Sequence, residues 1–348
     1  MARVLVAMSG GVDSSVAAAW LLDEGHDVTG VTLKLWGGTS DSGCCSVADV
    51  EDARRVAAQL GIPHYVFNLT ESFDEHVVGP YVDAHAHART PNPCVECNRS
   101  IKFGALFERM TALGFDALAT GHHARVVADS ESGRPRLARG RDRAKDQSYV
   151  LYMLEARQLD RVLLPVGELT KAEVRAEAER RELRTASKPE SMDVCFITRG
   201  GRAQFLAERI EPRPGAIVSV DGEHLGDHDD AARFTIGQRR GTGIAAGERR
   251  FVVDVDAATA TVTLGRRDDL LRECVELDDL IFEAACGRAV IAQTRAHGDP
   301  IPASVAIGPA RQATVTFASP QPRVAAGQVV ALYEGDVLLG GGIASDRS

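Results

Sequence analysis

An apolar stretch, Val4 to Ala7, passes through Met8 into Ser9-Gly10-Gly11-Val12-Asp13-Ser14-Ser15, and an amphipathic helical pattern follows through about Leu22. This order constrains the fold strongly. Two consecutive glycines let the chain turn tightly and bring its backbone close to a ligand. The helix that follows offers unpaired N–H groups and the positive end of its dipole to an anion. The hydroxyls of Ser9, Ser14 and Ser15 add further donors. The Walker pattern and its lysine are absent, so this is a phosphate-cradling loop of a different kind. Asp13 reads as a Mg²⁺ or pyrophosphate-site residue; a carboxylate that merely favours a helix N-terminus is the plainer alternative.

The 348 residues suggest two or three domains. No apolar run approaches the roughly 18 residues of a membrane span. Met-Ala-Arg leads straight into a strand, so we expect a cytoplasmic protein without a signal or transit peptide. Seven cysteines do not suggest a secreted disulfide framework. A net charge of −9 argues against nonspecific nucleic-acid binding but allows a local basic face. The run Arg134, Arg136, Arg139, Arg141, Arg143 and Lys145 is the candidate for RNA contact, against the default of a solvated loop.

Strands are expected at Arg3–Ala7, Val28–Leu33, Tyr65–Leu69 and Ala117–Thr120, with helices at Ser14–Leu22, Val47–Leu60 and Ile101–Leu113. This alternation predicts an α/β doubly wound parallel sheet. Ligands of such sheets sit at the carboxyl ends of the strands. The glycine-rich loop, Leu33 and Thr120-Gly121-His122 all fall there. A helix over Lys171–Leu183 follows, with Thr170 as its N-cap. Beyond about Pro212 short strands and turns take over, at Ala216–Val220, Arg233–Ile236, Phe251–Val255, Thr261–Leu264, Ala313–Phe317, Val329–Tyr333 and Val337–Leu339. We therefore expect a catalytic domain over 1–200, a small β-rich domain over 201–268 and a C-terminal β-barrel domain over 269–348.

The cysteines offer three readings. Cys94 and Cys97 lie in Pro-Asn-Pro-Cys-Val-Glu-Cys-Asn, just before a helix, where thiols acquire lowered pKa values. Cys195 stands apart in Asp-Val-Cys-Phe. A zinc site lacks a second Cys-x-x-Cys. Inert packing suits Cys274 and Cys286 better than the loop cysteines. Sulfur chemistry, with one thiol carrying a persulfide and a second resolving it, is the third reading. Cys44 and Cys45 are read as packing or metal-contact residues.

The loop Ser9–Ser15 resembles the signature of the PP-loop ATP pyrophosphatases, of the adenine nucleotide alpha-hydrolase-like fold. Together with TPNPCVECNRSIKF (Thr90–Phe103), TGHHAR (Thr120–Arg125), KDQSY (Lys145–Tyr149), LPVGEL (Leu164–Leu169), DVCFI (Asp193–Ile197), TIGQRRG (Thr235–Gly241) and GGGI (Gly340–Ile343), it resembles the bacterial tRNA-specific 2-thiouridylases (the MnmA/TrmU family). The resemblance implies ATP-dependent replacement of the 2-oxo group of the wobble uridine by sulfur in tRNA(Lys), tRNA(Glu) and tRNA(Gln). ATP would adenylate the uridine, releasing pyrophosphate, and AMP would leave with the oxygen. A cysteine desulfurase or a sulfur-relay protein would supply the persulfide. By position, Cys195 would carry it and Cys97 would release the sulfur, ending in a disulfide. Met8, Ser9, Gly10, Gly11, Val12, Asp13, Ser14, Ser15, Leu33 and Gly121 would bind ATP with Mg²⁺. Asn92, Pro93 and Cys94 would border the flipped base. His122, Lys145, Asp146, Gln147, Arg295 and Gln328 would touch the tRNA.

One departure matters. The better-described members of that family carry an aspartate where this chain has Cys94. Cys94, Cys97 and Cys195 could instead ligate a [4Fe–4S] cluster, leaving an iron open for sulfide. Two other classes compete with thiolation. A small-molecule PP-loop ligase needs neither Cys97 nor Cys195. A nucleotide-gated RNA-binding module needs no catalytic thiol, and its barrel would grip RNA by shape.

Overall fold

A computed structural model describes residues 1–36, 46–129, 132–189, 194–197, 201–244, 249–283 and 289–346. Cys44, Cys45, Cys286 and Asp193 lie outside the described residues. The chain forms two compact units. The first comprises Met1–Val78, Pro93–Arg199 and Asp336–Leu338; the second comprises Gly79–Asn92, Gly200–Gly335 and Leu339–Ser348. No described helix is long and apolar enough to cross a membrane.

The first unit is built on β1 (Arg3–Ala7), β2 (Asp27–Lys34), β3 (His64–Asn68), β4 (Ala117–Thr120) and β7 (Val162–Leu163), in the order β3-β2-β1-β4-β7. All four pairings are parallel. β1 is central, and Val4, Leu5 and Val6 are buried. Its uninterrupted apolar run is what a strand covered on both faces requires. The chain fills one side of β1 with β2 and β3, then crosses to β4 on the other. The strand order therefore reverses between β1 and β4, where doubly wound sheets bind ligands. Ala7 pairs with Thr120, so the loops after both strands start at the same level.

Helix α1 (Val12–Asp23) buries Val12, Ser14, Ser15, Val16, Ala17, Ala18, Ala19 and Leu21. A helix so extensively apolar belongs inside the fold. Helix α2 (Val47–Leu60) starts on a capping box between Ser46 and Asp49 and ends at Gly61, whose φ is +71°. The helix Lys171–Arg180 begins, as expected, at Thr170, with a capping box to Glu173. β5 (Ala124–Ala128) and β6 (Pro135–Arg139) form an antiparallel hairpin.

The segment expected as one α-helix over Ile101–Leu113 is different. Pro93–Glu96 is one α-turn, Cys97–Ala105 is π-helical, and only Leu106–Ala112 is α-helical. Two hydrogen bonds to groups outside this segment accompany the widening. Asn98 Nδ2 donates to Val150 O (2.9 Å), and Gln158 Nε2 donates to the Phe103 carbonyl (3.0 Å). A π-segment is rare and frequently marks a functional site.

The second unit holds a four-stranded sheet, β10-β11-β8-β9, from β8 (Gly215–Ser219), β9 (His224–His228), β10 (Phe251–Asp256) and β11 (Thr261–Gly265). It also holds a barrel of β12 (Leu271–Phe282), β13 (Ala289–Gln293), β14 (Ile301–Ile307), β15 (Ala313–Pro322), β16 (Val329–Glu334) and β17 (Val337–Ala344), apart from Val337 and Leu338, which are counted in the first unit. The barrel order is β12-β15-β14-β13-β16-β17, and β12 pairs with β17 to close it. The strand expected at Arg233–Ile236 is not formed. A 3-10 turn occupies Ala231–Arg233 because the Asp230 carboxylate accepts from Ala232 N (3.1 Å), and Phe234 turns into the core with Ile217, Val252, Val262 and Leu264. Residues 79–92 also belong to this unit: Thr90 N donates to Ala326 O (2.7 Å), and Arg89 pairs with Asp346.

Candidate active site

The loop after β1 is preformed. Met8 is buried, and both of its backbone groups are fixed: its N–H donates to Val31 O (2.8 Å), and its carbonyl accepts from Thr32 Oγ1 (2.7 Å). Gly10 has φ +72°, and a Cβ there would lie 2.2 Å from Asp49 O. Only glycine meets both conditions. Gly11 is the N-cap of α1 in extended conformation. Ser14 Oγ accepts from Ser9 N (3.1 Å), and Ser14 and Ser15 both donate to Gly11 O (3.2 and 2.8 Å). The hydroxyls therefore shape the loop as well as line it. Leu33 is buried on β2, two residues past Val31.

From β4, Gly121 approaches so closely that a Cβ would lie 2.6 Å from Ser14 N and 2.8 Å from Asp13 C. Two residues further on, His123 Nε2 donates to Asp13 Oδ1 (2.9 Å). Lys171 Nζ lies 2.7 Å from both Asp13 oxygens. Burial alone would raise the Asp13 pKa, but the hydrogen bonds and charges of His123 and Lys171 outweigh it and hold the carboxyl below the usual carboxylate range. Gln147 grips the backbone of His123 from both sides, Oε1 accepting its N–H and N donating to its carbonyl (both 2.9 Å). His122 points the other way. Its Nδ1 lies 2.7 Å from Thr120 Oγ1 and its Nε2 3.4 Å from Lys102 Nζ. Burial and the Lys102 charge push His122 well below the usual imidazole value, so it is neutral.

Pro93 is buried, Cys94 half-buried, and buried Cys97 opens the π-segment. Asn92 is half-buried and belongs to the second unit. Cys195 sits in a single tight turn, closed by Ile197 N donating to Val194 O (3.2 Å). Phe196 anchors that turn against Phe73 and Trp36, with ring centroids 5.8 and 6.3 Å away. Among the described residues no group of three or more His, Cys, Asp or Glu side chains is disposed to hold a metal ion. Cys94, Cys97 and Cys195 thus do not form a three-thiolate cradle in this arrangement.

Comparison with known proteins decides the family. Residues 2–199 match the tRNA methyl transferase HUP domain, 203–266 the tRNA methyl transferase PRC-barrel domain, and 284–344 the aminomethyltransferase beta-barrel domain. A tRNA-specific 2-thiouridylase MnmA of Roseiflexus sp. (strain RS-1) is 47% identical, over 98% of this chain and 99% of that protein. The chain belongs to the tRNA-specific 2-thiouridylase family. A second member, from Frankia casuarinae, is 46% identical over 98% of each chain. Among solved structures, a 4-thiouridine synthetase–RNA complex with bound ATP covers 60% of this chain and 46% of that one, at 19% identity and TM-score 0.39. That likeness is too remote to carry function.

The other expected tRNA-contact positions fall in both units. Asp146 is buried. It pairs with Arg139 (3.0 Å) and accepts from Gly140 N (3.0 Å) and from Ser148 N and Oγ (3.0 and 2.9 Å). Lys145 is half-buried and Gln147 exposed. Arg295 is exposed at the turn after β13, and Gln328 holds Ala344 N (2.8 Å) in the second unit. The basic run is largely neutralised: Arg136 pairs with Asp129, Arg139 with Asp146, Arg141 with Glu173 and Arg143 with Asp336. Three polar groups at the loop escape a linear reading: His123, Lys171 and Lys188. Lys171 lies 158 residues from Asp13. The TGHHAR motif does contain His123, but nothing in sequence separates its role from that of His122.

Proposed function

We propose that this protein thiolates C2 of the wobble uridine of tRNA(Lys), tRNA(Glu) and tRNA(Gln) at the expense of ATP. The convergence of the Ser9–Ser15 loop, Gly121 and the Asp13 cluster at the reversal of strand order carries this reading, with full-length membership of the thiouridylase family beside it. The N–H groups at the start of α1 suit the ATP phosphates. Mg²⁺ is commonly held by one or two carboxylates together with substrate phosphates, and Asp13 fits that use.

The uridine O2 attacks the α-phosphorus, and pyrophosphate leaves. The outer sulfur of a Cys195 persulfide then attacks C2, AMP departs with the oxygen, and a proton is released. The Cys97 thiolate attacks Cys195 Sγ, breaking the S–S bond. This leaves 2-thiouridine and a Cys97–Cys195 disulfide, which an external thiol reduces. A cysteine desulfurase or a relay protein reloads Cys195. Cys94 borders the base.

The test is ATP-dependent thiolation of an unmodified tRNA(Lys) transcript with cysteine and a cysteine desulfurase as the persulfide source, comparing wild type with Cys94→Ala, Cys97→Ala and Cys195→Ala. Loss confined to the last two supports the persulfide pair. Loss in all three with loss of protein-bound iron would favour the cluster instead. ATP turnover on a small acid that survives Cys195→Ala would mean a ligase.

A further inference from the structure

Lys188 lies seven residues before Cys195 in the chain. Its ammonium donates to Gly10 O (2.9 Å), to Asp49 Oδ1 (2.7 Å) and to Asp52 Oδ2 (2.7 Å). Asp49 is also the capping-box residue of α2, and its backbone carbonyl fills the space a Cβ on Gly10 would need. One ammonium therefore ties the glycine loop and the first two turns of α2 to residue 188, from which the chain runs on to Cys195.

The peptide bond is planar and trans, so fixing the Gly10 carbonyl also aims the Gly11 N–H in the opposite direction. The backbone on the other side of the tie is held as well. Arg175 Nη1 donates to Ala186 O (2.8 Å) and to Lys188 O (3.2 Å). Arg175 stands on the helix Lys171–Arg180, whose first residue grips Asp13. Burial works against the Lys188 charge, but the two carboxylates raise its pKa, so it remains an ammonium at neutral pH.

We propose that Lys188 is a positioning residue that links phosphate occupancy of the Gly10–Gly11 peptide to the placement of the segment bearing Cys195. Adenylation and sulfur delivery are thereby kept in step. This inference rests on the thiolation reading. Linkage is reciprocal, so ATP alters Cys195 and the state of Cys195 alters ATP affinity.

Two readouts test the link in the full-length protein. The first is 2-thiouridine formed per AMP released. The second is the rate of Cys195 alkylation by iodoacetamide, with and without MgATP, followed by peptide mass spectrometry. In wild type, MgATP should change the alkylation rate by about fivefold. Lys188→Met should abolish that response, lower the thiouridine-to-AMP ratio about fivefold and raise KM for ATP about tenfold, the scale of one lost charged hydrogen bond. Lys188→Arg should restore much of the ratio. Asp52→Asn keeps the capping box and should shift each readout in the same direction by less; it carries the comparison if Lys188→Met does not fold. A wild type that thiolates no tRNA overturns the functional reading itself. An active wild type, with both variants matching its ratio and its alkylation response, overturns the link alone.

Discussion

Lys171 Nζ grips both oxygens of Asp13 at 2.7 Å, and the pair is joined by His123 on the same carboxylate. The candidate magnesium ligand is thus already engaged by two side chains of the protein. Any cation that takes Asp13 must displace or share them, which leaves an ammonium beside the phosphate loop. Lys171→Met removes one of the two groups that support the ionised form while burial remains, so the Asp13 pKa should rise. The acid limb of tRNA-dependent pyrophosphate release should then move to higher pH. A pH profile of kcat/KM for ATP checks this, and an unmoved limb would remove Asp13 from the rate-determining ionisation.

Gly121→Ala should damage nucleotide binding directly. The added methyl meets the backbone of Ser14 and Asp13 below 3 Å, so the first turn of α1 must shift. We expect KM for ATP to rise by about tenfold or more, the scale of a lost charged hydrogen bond, with a smaller change in tRNA affinity. Equilibrium binding of a nonhydrolysable ATP analogue measures the first directly.

Arg139→Ala should cost stability. It leaves buried Asp146 without its ionic partner, a change worth about 3 kcal/mol or more. Urea unfolding followed by circular dichroism reads it. Arg143→Ala, which breaks an exposed pair with Asp336, should cost under about 1 kcal/mol.

Acid should weaken the second unit through His85. Burial first, then the Arg202 charge, push its pKa down to about 4, and Tyr81 packs edge-on against it at 4.6 Å. A histidine whose folded pKa is lowered binds its proton more readily when unfolded. Stability is therefore full above the unfolded value of about 6.5 and declines as pH falls toward 4, by at most about 3 kcal/mol. His122, also held neutral, adds to the same slope in the first unit. Urea midpoints at pH 7 and pH 5 should differ less in His85→Leu than in wild type.

Local chemistry made much of this fold readable. The Val4–Val6 run, the glycine loop and the Thr170 capping box act within a few residues, and each appears where the sequence puts it. The π-segment does not follow from the spacing of apolar residues, because the groups that widen it, Val150 O and Gln158, come from beyond the next strand. The same distance hides Lys171 and Lys188, which reach the loop from 158 and 178 residues away. The pairing of the basic run is hidden for a related reason: Asp336, the partner of Arg143, is 193 residues distant.

Barrel closure sets an order of assembly. β12 pairs with β15 and with β17, so one of its edges stays unpaired until β17 has been made. The first unit waits on the same strand, since Val337 pairs with Ala138 and Asp336 pairs with Arg125 and Arg143. During synthesis the glycine loop and its sheet emerge early, while the finishing contacts of both units arrive with the last strand described. A ribosome stalled before β17 would therefore present a nascent chain with an open sheet edge, the kind of surface that chaperones meet and that neighbouring chains can join.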